Sequence, residues 1–278
     1  MPVLYLVGTP IGNLEDISLR ALNILKGVSL IAAEDTRTAR QLLTHFDIHT
    51  PVTSYYEHNK LSKLDRIMEA LQTGDVAVVS EAGMPGLSDP GYELVRAALA
   101  RGIRVSPVPG PTALLTALVA SGLPAGQFYY LGFLPREPRL RRRLLNTVKD
   151  ETLTLVAYEA PHRIRETLKD LEEILGPRRL CAARELTKVF EEFRRGPLPE
   201  VRQYFETVEP RGEFTLVIAG APAARKNARV SERWNDARVS KQVRVLLKKG
   251  VPRTEAVKRI ARAAHRDRRE VYALALEE

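Results

Sequence analysis

The stretch VLYLVGTPIGNLEDISLRALNILKGVSLIAAEDTRTARQLLTHF, residues 3–46, decides the fold. Val3–Val7 is a short apolar run that enters a Gly/Pro loop, which predicts a buried strand. Ser18–Lys26 carries helical spacing. Ser29–Ala33 is a second apolar run, and Asp35 or Thr36 is placed to cap a helix reaching about Phe46. The strands are nearly continuously apolar, not alternating. That pattern belongs to a parallel sheet with both faces covered by helices. Open sheets of this kind bind ligands in the loops at the carboxyl ends of their strands.

The same rhythm continues outward. Val76–Ser80 is a third strand, Tyr92–Ala100 a helix and Ile103–Val108 a fourth strand. A second α/β unit follows. The segment PGPTALLTALVASG opens a helix at its prolines and ends it at Gly122. Strands are predicted at Phe128–Phe133, Leu153–Tyr158, Leu180–Arg184 and Glu213–Ala219, with helices at Arg141–Val148 and Ile164–Leu175. Beyond Gly220, APAARKNARVSERWND is polar and reads as a linker. Three short helices then follow: Ala237–Lys249, one capped by Thr254, and Arg268–Leu276. The domains expected are residues 1–110, 111–222 and a basic helical module within 223–278.

Charge supports this division. The chain of 278 residues carries +9, and residues 1–224 balance 27 Lys and Arg against 27 Asp and Glu. Residues 225–278 hold 16 Lys and Arg against 7 Asp and Glu, so the whole net charge lies there. A neutral body with a basic appendage suggests a core site plus a contact for a polyanion. The alternative is a helical arm that packs on the body or on a partner chain. A single cysteine, Cys181, excludes an internal disulfide framework, and its apolar strand predicts burial. No apolar stretch approaches the ~20 residues of a membrane span. The first residues lack the basic flank of a signal peptide, so the expected location is the cytoplasm.

The loops after the strands carry the candidate chemistry. Gly8-Thr9-Pro10-Ile11-Gly12-Asn13-Leu14 is neither GxGxxG nor a Walker loop, which weakens ATP-driven and ordinary dinucleotide chemistry. Glu34, Asp35 and Arg37 end the second strand, with helix capping by Asp35 as the plainer alternative. The segment from Ser80 to Gly91, with Glu81 and Asp89, forms a rigid wall, and Pro109-Gly110-Pro111-Thr112-Ala113 offers small residues to a flat ligand. Glu185 and Lys188 form a charged strand end or a solvated run. Arg136, Arg139, Arg141, Arg142 and Arg143 suit phosphate oxygens, unless they simply open a surface helix. The five histidines show no metal-ligand spacing.

These segments together resemble the tetrapyrrole methylase superfamily, and within it the bacterial 16S ribosomal RNA cytidine 2′-O-ribose methyltransferases. The resemblance rests on LYLVGTPIGNLEDISLRAL (4–22), AAEDTRTARQLL (32–43), VVSEAGMPGLSDPG (78–91), VSPVPGPTALLTALVASGL (105–123), YYLGFLPRE (129–137), YEAPHRI (158–164), AARELTKVFEEFRRG (182–196) and GEFTLVIAG (212–220). TPIGNLEDI and GFLPRE mark the RNA-modifying branch. PVPGPTA and GEFTLVI mark the superfamily. Two positions depart: Ser80-Glu81-Ala82-Gly83-Met84-Pro85 stands where the family usually has SDAGTP, and His58-Asn59-Lys60 where it often has HNE.

The resemblance implies a two-domain α/β fold with S-adenosyl-L-methionine in the cleft between the domains, plus a small basic C-terminal module. It implies a homodimer that acts on 16S ribosomal RNA, in small ribosomal subunit particles. The implied cofactor-binding residues are Pro10, Gly12, Asn13, Leu14, Ser80, Glu81, Ala82, Gly83, Pro85, Pro109, Gly110, Pro111, Thr112, Ala113 and Thr215. The expected reaction is methyl transfer to a ribose 2′-hydroxyl. Glu34, Asp35, Glu81, Glu185 and Lys188 are the candidate proton acceptors, and Arg37 would orient a phosphate or carboxylate. RNA contacts are expected from the arginines of 136–143 and from Lys248, Lys249, Arg253, Lys258, Arg259 and Arg262. The competing expectations are a precorrin-like ring methylase and a non-enzymatic ribosome-assembly factor.

Overall fold

The computed structural model describes residues 2–56, 60–222, 234–264 and 266–275. Most of the expected linker, His58, Asn59, His265 and the last turn through Leu276 lie outside the described residues. Two compact units form: residues 1–146 with 153–219, and residues 147–152 with 220–278.

The larger unit holds two five-stranded sheets. The first contains β1 (Val3–Val7), β2 (Leu30–Ala33), β3 (Val52–Ser54), β4 (Val76–Val79) and β5 (Arg104–Val108), in the order β3-β2-β4-β1-β5. All its pairings are parallel, as the apolar runs predict. Because strand side chains alternate faces, β4 sends Ala77 and Val79 to one core and Val76 and Val78 to the other. The first core is closed by α1 (Leu19–Gly27) and α2 (Thr36–His45) through Ala21, Leu25, Leu42 and Leu43. The second is closed by α3 (Lys60–Thr73) and α4 (Tyr92–Ala100) through Ile67, Leu71, Leu94 and Ala98. Neither β3 nor α3 is among the elements expected from the sequence.

The second sheet contains β6 (Phe128–Phe133), β7 (Thr154–Glu159), β8 (Arg179–Arg184), β9 (Glu192–Pro197) and β10 (Phe214–Ile218), in the order β6-β7-β10-β8-β9. Only β6 and β7 pair in parallel. β10 runs antiparallel between β7 and β8, so it begins where they end. The helices α5 (Ala113–Ala120), α6 (Pro138–Thr147), α7 (Ile164–Leu175) and α8 (Leu198–Thr207) belong to this half. Leu114, Ala117 and Leu118 of α5 pack on Val156, Cys181, Ala183 and Val217. Cys181 is buried as expected, and burial pushes its thiol up.

The arginine run is not the uniform cationic surface expected from the sequence. Arg141 is 1% exposed and pairs with Asp170 at 2.7 Å, so its guanidinium joins α6 to α7 rather than meeting RNA. Arg142 bridges Asp170 and Glu173, both at 2.6 Å. Arg136, Arg139 and Arg143 remain exposed.

The smaller unit contains α9 (Asp236–Lys248), α10 (Arg253–Ala264) and α11 (Arg268–Leu274). Val239, Val243, Val257, Ile260, Ala261 and Val271 form its core. Thr254 lies inside α10 and does not cap it. Lys248, Lys249, Arg253, Lys258, Arg259 and Arg262 are all exposed. Arg259 is tied to Glu255 at 2.9 Å. Among the described residues, no helix is long and apolar enough to cross a membrane.

Candidate active site

The order of the first sheet gathers the predicted loops. The chain leaves β1 toward β2 over the α1–α2 face, and leaves β4 toward β5 over the α3–α4 face. β1 and β4 are neighbours, so a crevice opens beyond their carboxyl ends. Thr9 and Gly83 lace the two loops together: Thr9 N donates to Gly83 O at 2.9 Å, and Gly83 N donates to Thr9 O at 3.1 Å. Gly8 N donates to Val108 O at 3.1 Å, which brings in the loop after β5. Gly8 and Gly110 touch through backbone. A Cβ on Gly8 would lie 2.7 Å from Gly110 Cα, and one on Gly110 would lie 2.8 Å from Gly8 Cα.

The second sheet supplies the opposite wall. Phe214 pairs with Glu159 and with Arg184, so the ends of β7 and β8 share an edge with the start of β10. The two walls enclose a cleft of about 550 Å³. Twelve of the expected residues line it: Pro10, Gly12, Leu14, Glu34, Glu81, Ala82, Gly83, Thr112, Ala113, Glu185, Lys188 and Thr215.

Other expected residues shape the cleft without lining it. Asn13 N donates to Thr187 Oγ1 at 3.0 Å, and Asn13 Oδ1 accepts from Glu15 N. A Cβ on Gly12 would meet Thr187 Oγ1 at 2.7 Å, so glycine is needed where these loops cross. Buried Ser80 donates from Oγ to Gly83 O at 3.2 Å and braces the turn. Pro85 is buried beneath it, and Pro109, Gly110 and Pro111 hold the third loop. Thr112 Oγ1 accepts from Leu115 N at 3.1 Å and caps α5.

Asp35 and Arg37 do not belong to the cleft. Asp35 caps α2, accepting from Arg37 N at 2.7 Å, and pairs with the Arg37 guanidinium at 2.8 Å. That guanidinium holds the Asp35 carboxyl down at about 2. Such an acid is a poor proton acceptor, so both residues leave the catalytic set. Glu34 turns the other way. It lines the cleft, accepts from Glu81 N at 3.2 Å, and is pushed up chiefly by burial.

The sequence reading missed Asp89 as a site residue. It lines the cleft, and its carboxyl is pushed up to about 7, first by burial and then by the charge of Glu34. A second aid was hidden in the backbone. Ser88, Glu185 and Thr187 take φ of 66°, 51° and 64°, a region costly for residues with a Cβ. Strain of this kind gathers at functional sites. Ser88 Oγ lies 2.7 Å from Tyr130 Oη, and Tyr130 meets the Tyr158 ring at 5.5 Å. Tyr158 Oη accepts from Leu114 N at 3.1 Å, and burial raises its phenol. Phe133, Met84, Leu87 and Leu186 add apolar wall.

Residues 3–202 match the family described as Tetrapyrrole (Corrin/Porphyrin) Methylases. The chain belongs to the tetrapyrrole methylase family. Ribosomal RNA small subunit methyltransferase I of Synechocystis is 46% identical to this tetrapyrrole methylase over 279 residues, covering 100% of the chain and 98% of the relative. The protein so named from Bacillus subtilis is 44% identical, covering 98% and 93%. The one from Thermotoga maritima is 48% identical over 221 residues, covering 79% of this chain and 99% of itself. Among solved structures, uroporphyrin III C-methyltransferase from Thermus thermophilus superposes with a TM-score of 0.56 at 23% identity, covering 78% of this chain and 97% of that one. Diphthine synthase gives 0.61 at 12% identity, covering 78% and 90%. Those two likenesses show that the fold of this tetrapyrrole methylase is the one expected.

Proposed function

We propose that this chain uses S-adenosyl-L-methionine to methylate the ribose 2′-oxygen of a cytidine in the decoding region of 16S ribosomal RNA. The observation that carries the reading is the likeness to the Synechocystis small-subunit methyltransferase along the whole chain, basic helical unit included.

The cleft fits the cofactor. Its volume lies within the ~300–1,000 Å³ of small-molecule sites. Close approach at Gly8, Gly12 and Gly110 leaves a backbone cradle that side chains would fill. Glu185 is paired with Lys188 at 2.9 Å, which leaves Glu34, Glu81 and Glu213, with Asp89 when ionised, to give the lining a negative field suited to a cationic ligand. S-adenosyl-L-methionine, when bound, supplies a methyl group on a positively charged sulfur. Residues 10–12, Leu14, 81–83 and 112–113 hold and orient it, with Thr215 on the opposite wall.

A sugar hydroxyl is a weak nucleophile until its proton begins to leave. Asp89 takes that proton on a carboxylate oxygen, and a pKa near 7 suits a general base at neutral pH. Burial first, and then the charge of Glu34, sustain that elevated value. Phe133, Met84, Leu87 and Leu186 give the site an apolar wall. The acidic lining repels phosphates, so the RNA backbone must be held elsewhere. Exposed Arg136, Arg139 and Arg143, and the cations of the helical unit, supply those contacts.

The substrate is the RNA within small-subunit particles, in the cytoplasm. The working form is a homodimer, as the family resemblance implies. The test is methyl transfer from labelled cofactor to hypomethylated small subunits, with a precorrin-like ring as the competing substrate. Label in the RNA is expected. Label in the ring alone would overturn the reading.

A further inference from the structure

The smaller unit carries a groove of its own. It is lined by Thr254, Glu255, Val257 and Lys258 of α10 and by Arg268, Arg269, Tyr272 and Ala273 of α11, with a volume of about 670 Å³. Three features set its chemistry. Tyr272 is a large ring, 41% exposed, on a unit whose core is aliphatic. Lys258, Arg268 and Arg269 are exposed, outnumbering the single acid Glu255 that feels the charges of Arg259, Lys258 and Arg268 together. The acid of the groove, Glu255, is already engaged by Arg259 at 2.9 Å. The groove is therefore apolar and aromatic along its floor and cationic along its rim.

We infer that this groove binds single-stranded RNA, with a base stacked on Tyr272 and the adjoining phosphates on Lys258, Arg268 and Arg269. Aromatic rings hold unpaired bases because every base has a π-face, while a paired base in a helix keeps its face covered. An apolar peptide would match the floor but bring no anion to a rim where cations outnumber the one acid. Duplex RNA would satisfy the cations but could not reach the ring. The site rests on the reading of the chain as an RNA-modifying enzyme, and it assigns the appendage a strand preference as well as a charge.

The test uses the full chain, a fluorescent single-stranded oligoribonucleotide of mixed sequence and the same sequence as a duplex. Tyr272→Ala is expected to weaken single-strand binding roughly 5- to 150-fold, as loss of one stacked base does. Tyr272→Phe should retain affinity within about twofold. Lys258→Gln with Arg268→Gln should lower the slope of log affinity against log salt by roughly 1.4, about 0.7 for each phosphate no longer neutralised. Thermal unfolding of each variant is followed alongside; if Tyr272→Ala unfolds, the Phe and charge variants decide. Wild-type affinity in all variants, or an equal loss for strand and duplex, would overturn the inference. Methylation of small subunits separates the two readings. If the wild-type chain methylates them but strand binding ignores Tyr272, the groove fails alone. If strand binding follows Tyr272 but no methyl reaches RNA, the proposed function fails alone.

Discussion

Two neighbouring acids, Glu34 and Asp35, end the same strand and do opposite work. Glu34 faces the cleft, whereas Asp35 turns to the amides of α2. The sequence shows both carboxylates but not their directions, because burial depends on loops distant along the chain. Asp89 is the clearer case. It stood in the loop read as a wall, yet nothing local marks it as the acid with the raised pKa. Asp89→Asn is expected to slow methyl transfer by roughly 10²- to 10⁴-fold, the usual contribution of a general base. Cofactor affinity, read by calorimetry, should change far less. The wild-type rate should rise with pH through about 7 as Asp89 ionises, and that inflection should vanish in the variant. Stability moves the other way. A carboxyl raised from 3.8 to about 7 binds more protons folded than unfolded between those values, so stability falls as pH rises across them. Asp89→Asn should therefore raise the melting temperature at about pH 8, with the gain disappearing near pH 4.

At the scale of elements, the loops work because their backbones touch. Gly8→Ala places a methyl group 2.7 Å from Gly110 Cα, which the fold can meet only by moving β1 and β5 apart at their ends. We expect a loss of about 1–3 kcal/mol, as for overpacking, and at least tenfold weaker cofactor binding by calorimetry. The α6–α7 join makes a second prediction. Asp170→Ala leaves the buried Arg141 guanidinium without its 2.7 Å partner. Breaking a buried pair costs about 3–5 kcal/mol, readable as a fall in the denaturant midpoint. The long apolar strands were legible, since parallel sheets advertise themselves by continuous hydrophobic runs. β3 was not, being three residues long. α3 was missed although Leu64, Ile67, Met68 and Leu71 keep helical spacing. β9, EFRRGP, is an edge strand defined by its pairing with β8, and its polar sequence carries no strand signal.

Over the whole molecule, the charge partition and the cleft fit one task. A negative cleft suits a cationic cofactor, and a basic unit suits a polyanion. Deleting residues 225–278 should weaken RNA binding and flatten its salt dependence, by roughly 0.7–0.9 of slope for each phosphate no longer neutralised. Transfer should be reduced but not abolished, because the residues that line the cleft all precede residue 225. Anisotropy across a salt series checks this. The charge partition was plain in the sequence. The strand order that brings the loops together was not, because it is a property of crossovers rather than of any segment. The most direct measurement of the central claim is the identity of the methylated nucleoside. Small subunits lacking the modification are incubated with the chain and labelled cofactor, and the 16S RNA is digested to nucleosides. Label in 2′-O-methylcytidine from the decoding region is the expected result. Label in a base-methylated nucleoside, or none in the RNA, would contradict it.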